Sequence, residues 1–294
     1  MGPYTRRDFL KTSVAAGTVA TVTGLPLQAS AHTAADTVTL GRSGVRVTRL
    51  AFGTGSNNGH VQAALGQQEF TRLIHYAYDH GIRFFETAEA YVTPAMLGEA
   101  LKGIPRENYQ LMTKVTTDEG VDPMQRFDEM RRRSMTEYFD IMLLHYQHSG
   151  DWVAKTANWR DGLNQARAKG VIKTQGASVH GLPALDQIPG QKWLDVAMIR
   201  MNHKGKNMDG PEFWTGSNPQ FVPEVVAKVQ EVKREGMGVI SMKLVGEGSF
   251  TQREDRQKAM RFAFQHAGVD AVTVGFKNTA EIDEAIENVG QALA

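Results

Sequence analysis

The stretch GIRFFETAEAY, residues 81–91, decides how the rest of the chain is read. It follows an amphipathic run from Gln67 to His80, and Gly81 stands where a left-handed residue ends a helix at least cost. Ile82 to Phe85 then make an apolar block of strand length. Where that strand runs out come an acid, Glu86, and five residues later a tyrosine, Tyr91. Helix, glycine, buried strand and polar strand end form one βα unit, and the same unit recurs along the chain.

Upstream, TVTLGRSGVRVTRLAFGT (37–54) predicts a β-hairpin turning at Gly41 to Gly44 and running into a first barrel strand near Leu50 to Phe52. Further strands are expected at Arg83 to Glu86, Gln110 to Lys114, Asp140 to His145, Ile172 to Ser178, Val196 to Arg200, Gly238 to Met242 and Ala271 to Gly275. Helical patterns fall between them: Gln67 to His80, Pro94 to Lys102, Pro123 to Tyr138, Thr156 to Lys169, Leu182 to Ile188, Pro219 to Glu235, Gln252 to His266 and Thr279 to Ala292. Gly81, Gly103, Gly170, Gly236 and Gly268 punctuate helix ends. Strict alternation of strand and helix predicts an α/β fold, a (β/α)8 TIM barrel with an N-terminal β-hairpin. An open doubly wound sheet is the alternative, but FGTGSNNG (52–59) lacks the GxGxxG spacing of its phosphate loop.

With 41% hydrophobic residues, the 294-residue chain can bury a large core. Its formal charge of +1 gives no electrostatic basis for a nucleic-acid partner, and the absence of cysteine excludes disulfides, thiolate catalysis and cysteine-bound clusters. Residues 1–31 obey a different logic from the barrel expected over 32–294. TRRDFLK (5–11), a run of small apolar residues and ASA at 29–31 read as a targeting segment with a cleavage site, not as a stable membrane span. An ordinary secretory signal is one reading. The adjacent Arg6 and Arg7, with Phe9, Leu10 and Lys11, resemble a twin-arginine (Tat) signal. That resemblance implies the Tat export machinery as a partner and a periplasmic or exported location.

A (β/α)8 barrel builds its site from the carboxyl ends of its strands. Those ends carry Glu86 and Tyr91, then Lys114, His145, Ser178 and His180, Asn202 and His203, and Lys243. Here FFETAEAY…LGEAL, LMTKV and DIMLLHY, together with TLGRSGVRVTRLAFGTG and KGVIKTQGASVHG, resemble the aldo-keto reductases in order and spacing over roughly residues 38–292. The resemblance implies an oxidoreductase that moves a hydride between NADP(H) or NAD(H) and a small carbonyl or alcohol substrate, a sugar among the candidates.

The same resemblance implies a catalytic set of Glu86, Tyr91, Lys114 and His145. Tyr91 would be the general acid and base, Lys114 would lower its pKa, Glu86 would hold Lys114, and His145 would orient the carbonyl. Contacts to the cofactor would come from Gly53, Thr54, Ser178, Asn202, Lys243, Gly275, Lys277, Asn278 and Glu284, with Lys277 and Asn278 facing a phosphate. Several positions depart from the family pattern. Glu86 replaces the usual aspartate, Val179 follows Ser178 in place of asparagine, Met198 and Met242 stand where a glutamine and an aromatic are usual, and Glu281 takes the place of an arginine.

Two other functions fit the same barrel. Glu86, His145, His180 and His203 could hold a divalent metal for isomerase, lyase or hydrolase chemistry. The barrel could also bind a ligand without turnover. Trp152 and Trp159 would either line a sugar-sized pocket or pack a helix on the barrel, and Trp214 lies in a long polar loop that reads equally as a lid or as a surface excursion.

Overall fold

The computed structural model describes residues 33–212 and 216–294; the targeting segment of residues 1–31 and Trp214 lie outside them. The expected hairpin forms first. Strands β1 (Thr37–Thr39) and β2 (Arg46–Thr48) pair antiparallel with Val38 opposite Val47, and the turn between them uses Gly41 and Gly44 at positive φ. Leu40, Val45 and Val47 are buried in one apolar cluster with Phe84, Met112 and Ile141, so the hairpin plugs the amino-terminal end of the barrel.

Eight parallel strands close the barrel: β3 (Leu50–Gly53), β4 (Phe84–Glu86), β5 (Gln110–Val115), β6 (Phe139–Gln147), β7 (Ile172–Val179), β8 (Val196–Arg200), β9 (Gly238–Met242) and β10 (Ala271–Val274), with β10 returning to β3. Strand period two sorts their residues. Ala51, Phe84, Met112, Ile141, Leu143, Val196, Met198, Ile240, Met242 and Ala271 fill the interior, while residues of the other parity pack beneath the helices. Each Val, Ile, Leu, Met or Phe side chain so buried contributes about 1.5–3 kcal/mol of transfer free energy. Continuing that inward parity toward the carboxyl end brings up Gly53, Glu86, Lys114, His145, Ser178, Arg200 and Thr273. The site is therefore the polar last layer of an otherwise apolar cylinder.

The helices are α1 (His60–Ala63), α2 (Gly66–Asp79), α3 (Pro94–Ala100), α4 (Pro123–Arg133), α5 (Trp152–Lys155), α6 (Ala157–Ala168), α7 (Leu182–Leu185), α8 (Val222–Arg234), α9 (Arg253–Arg261) and α10 (Thr279–Leu293). Helix α4 stops five residues before the expected Tyr138, because Met135 takes φ 52° and turns the chain into β6. Helix α9 passes into a π-helical turn, Phe262–Ala267, ended by Gly268 at φ 72°. The helix expected from Pro219 starts as a 3-10 turn and becomes α-helical at Val222. Short α1 and α5 were not anticipated. Trp152 and Trp159 are both 1% exposed, and the Trp152 indole donates to the Ala184 carbonyl at 3.0 Å, so both rings pack helices and neither lines a pocket. No described helix is long and apolar enough to cross a membrane.

Candidate active site

Glu86 ends β4 in register with Gly53 of β3 and Met112 of β5, which puts its inward side chain beside that of Lys114. The two form a buried ion pair, Lys114 Nζ to Glu86 Oε1, with side chains 1% and 4% exposed. Lys114 Nζ also donates to the Thr87 carbonyl at 3.0 Å, and Thr273 Oγ1 donates to Glu86 Oε2 at 3.3 Å. Glutamate fits here because residue 53 has no side chain: a Cβ on Gly53 would stand 3.1 Å from Glu86 Oε2 and 2.6 Å from Thr273 Oγ1. Gly53, expected to touch a cofactor, also makes room for the longer acid.

Tyr91 reaches the same place from the turn after β4. Its ring centroid lies 4.9 Å from Lys114 Nζ and 5.9 Å from the His145 ring, edge to face. The ring rests on Gly55, where a Cβ would come within 2.3 Å of its Cε2 and Cζ. His145 sits just before an irregularity in β6: the β6–β7 register shifts between Leu144 and Gln147, and Tyr146 takes φ 58°. Such a bulge re-aims side chains beside a site. Glu86, Tyr91, Lys114 and His145 thus converge at the barrel mouth.

Burial, followed by the charges of Glu86 and Glu247, holds the Tyr91 phenol well above its ordinary pKa. The Lys114 ammonium beside the ring is itself paired with Glu86 in a buried ion pair. Burial in turn lowers the Lys114 pKa, against the pull of Glu86. His145 is kept neutral by burial and by the nearby charges of Lys114 and Lys243, which set its pKa well below 6.5. Tyr91 is a protonated donor over the ordinary pH range, and His145 is a neutral imidazole.

The expected cofactor residues fare unevenly. Ser178 Oγ is fully buried without a hydrogen-bond partner, and His180 Nε2 is in the same condition two residues on. Both fit a ligand amide. Thr54 donates its N–H to the Glu86 carbonyl and shares its hydroxyl with Thr93 at 2.9 Å. A Cβ on Gly275 would meet Ser56 Oγ at 2.2 Å, so that glycine admits the loop after β3. Asn202 spends its amide on its own surroundings, donating to the Lys206 and Lys243 carbonyls and accepting from the N–H groups of Lys204 and Lys206.

Lys243 pairs with Glu247 at 2.9 Å, and Asn207 donates to the other oxygen of that carboxylate at 2.8 Å. Lys277 and Asn278, expected to face a phosphate, both serve Glu281. Its carboxylate accepts the Lys277 N–H at 2.8 Å, while the Asn278 side chain accepts the Glu281 N–H and caps α10. Glu284 is gripped by Arg256 through bonds of 2.6 and 2.8 Å. The donor set suits the amide end of a nicotinamide, whereas the start of α10 already carries its own anion.

Sequence reading missed Arg200. It ends β8 with inward parity and forms a buried pair with Asp209 at 2.6 Å, and Asp209 also accepts the Gly181 N–H at 2.6 Å. Counting by twos from Met198 would have found it. The pair ties the segment after β8 to β7 and α7, so the described part of the candidate lid is anchored. His203 lies elsewhere, 5.3 Å from the Phe250 ring and 3.8 Å from Asp255. The four-residue metal set therefore does not assemble, and no group of three His, Cys, Asp or Glu among the described residues could hold a metal.

The pattern of the aldo/keto reductase family matches residues 49–292, and the chain belongs to that family. It is 32% identical over 131 residues to a morphine 6-dehydrogenase of Pseudomonas putida, an alignment covering 39% of this chain and 44% of that one. With a D-threo-aldose 1-dehydrogenase of a Pseudomonas species it shares 25% over 190 residues, 53% of this chain and 57% of the relative. The chain thus spans about half the length of the curated relatives it matches. Among solved structures, an aldo-keto reductase of Bacillus halodurans in its holo form superposes with a TM-score of 0.69 at 19% identity, covering 88% of this chain and 91% of that one. One from Klebsiella pneumoniae in complex with NADPH gives 0.66 at 16%, covering 86% and 89%. These likenesses establish the barrel fold.

Proposed function

We propose that the protein is an exported, nicotinamide-dependent carbonyl reductase in which Tyr91 donates the proton. The observation that carries this reading is the meeting of Tyr91, His145 and the buried Lys114–Glu86 pair at the mouth of the barrel. A bound nicotinamide would supply the hydride. Ser178 and His180 offer unpaired buried polar atoms to its amide, and the NADPH complex of the Klebsiella structure supports that class of cofactor.

The chain's own residues account for the rest. A carbonyl gaining a hydride becomes an alkoxide, which must be met by a proton. Tyr91, held protonated, gives its O–H proton to that oxygen. Neutral His145 donates a hydrogen bond that fixes the carbonyl without competing as an acid. Lys114 and Glu86 form a fixed dipole beneath the phenol, and Thr273 and Gly53 hold that dipole in place. A phenol held protonated near neutrality is in the form that the reduction step uses. The twin-arginine resemblance of residues 5–11 supports export with cofactor loaded in the cytoplasm.

The test is to denature protein purified from the cytoplasm, identify the small molecules released by mass spectrometry, and follow NADPH and NADH oxidation against a panel of aldehydes and ketones. Release of a nicotinamide dinucleotide and consumption with at least one carbonyl are expected. Absence of both would remove the reductase reading.

A further inference from the structure

The general acid sits on a turn, and a turn has to be held. Thr87 N–H donates to the Met112 carbonyl at 2.9 Å and Glu89 N–H to the Lys114 carbonyl at 2.8 Å, carrying the β4–β5 pairing past the end of the strand. Tyr91 N–H then closes on the Ala88 carbonyl at 3.1 Å, and Val92 N–H reaches the Asn58 carbonyl. These bonds use the donors of the turn. Its outward carbonyls at 89 and 91 remain.

Both carbonyls are taken by one side chain. Arg133, the last residue of α4, donates Nη1 to the Glu89 carbonyl at 2.6 Å and Nη2 to the Tyr91 carbonyl at 2.5 Å. Arg126, two turns earlier on the helix, ion-pairs with the Glu89 carboxylate, which also accepts from Thr116 N–H and Oγ1. A basic residue in a last helical turn is usually explained by the helix dipole. Arg133 does something more specific. It leaves its own helix to fork across two carbonyls that bracket Tyr91, a two-point geometry that lysine cannot copy. Arg131 pairs with Asp128 on its own helix, and exposed Arg132 makes neither contact.

We propose that Arg133 is a positioning residue for Tyr91: by fixing the carbonyls of residues 89 and 91 it sets where the phenol stands over Gly55. This rests on reading Tyr91 as the proton donor. Holding a reacting group to within a fraction of an ångström is worth up to about a hundredfold in rate, and α4 grips this turn through two arginine side chains.

The test uses the full chain labelled with 13Cζ-tyrosine, the Tyr91 resonance being identified by its loss in Tyr91→Phe. Arg133→Ala should shift or broaden that resonance and leave the other tyrosines in place, Arg133→Lys should restore it part way, and Arg132→Ala should do nothing. In carbonyl reduction, Arg133→Ala should lower kcat by about ten- to a hundredfold with KM and melting temperature little changed. Should Arg133→Ala fail to fold, Arg133→Lys carries the test, and a Tyr91 resonance identical to wild type overturns the proposal. An unmoved resonance in Arg133→Ala, or the same displacement in Arg132→Ala, overturns it equally. Full turnover by Tyr91→Phe would instead remove the proton-donor reading, with the resonance still reporting whether Arg133 holds the ring.

Discussion

A single methyl group at residue 55 would occupy space the Tyr91 ring fills, at 2.3 Å from two of its carbons. Gly55→Ala should therefore displace the phenol and cut reduction at least about tenfold while the fold survives, since the ring can swing outward; steady-state kinetics beside a melting curve checks it. Glu86→Asp shortens the acid that bridges Lys114 and Thr273, so one of those contacts is lost and kcat should fall although aspartate is the family's usual residue. Lys114→Met leaves Glu86 buried and unpaired, a change expected to cost about 3–5 kcal/mol of stability, measured by urea unfolding. The four side chains proposed as catalytic were legible because motif order names them. The space that Gly53 and Gly55 leave was not, because what a glycine makes room for appears only once its neighbours are placed.

At the scale of elements, register explains both what was readable and what was not. Apolar blocks of strand length located every barrel strand to within two residues, as period two and a buried interior require. The β6 strand ran past its expected end at His145 because a bulge at Tyr146 interrupts the alternation, and such irregularity has no apolar signature. Gly176 records a close approach in the same sheet: a Cβ there would lie 1.8 Å from the Val196 carbonyl oxygen of the paired strand. Gly176→Ala should force β7 from β8 and destabilise the barrel by about 3 kcal/mol or more, seen as a lowered melting temperature. The phosphate role expected of Lys277 and Asn278 rested on residue types at a helix start. The capping interaction with Glu281 has the same sequence signature, and the fold forms it.

For the molecule as a whole, the buried imidazoles tie stability to pH. His145 and His180 have folded-state pKa values well below 6.5, so the unfolded chain takes up protons that the folded one refuses. Their contribution is present above pH 6.5 and drains away as pH falls below it, by about 1.4 kcal/mol per pH unit for each imidazole. Urea midpoints should drop between neutral and mildly acidic buffer, and His145→Asn with His180→Asn should flatten the drop. Burial also holds the Tyr91 phenol protonated. Composition could not show this, because the shift comes from where the barrel closes around residue 91. The account is tested most directly by single-turnover reduction of a carbonyl by Tyr91→Phe, with nicotinamide binding followed in parallel by fluorescence. It predicts binding equal to wild type and hydride transfer slower by about a hundred- to ten-thousandfold, the usual value of a positioned proton donor; wild-type rates of hydride transfer without the hydroxyl would contradict it.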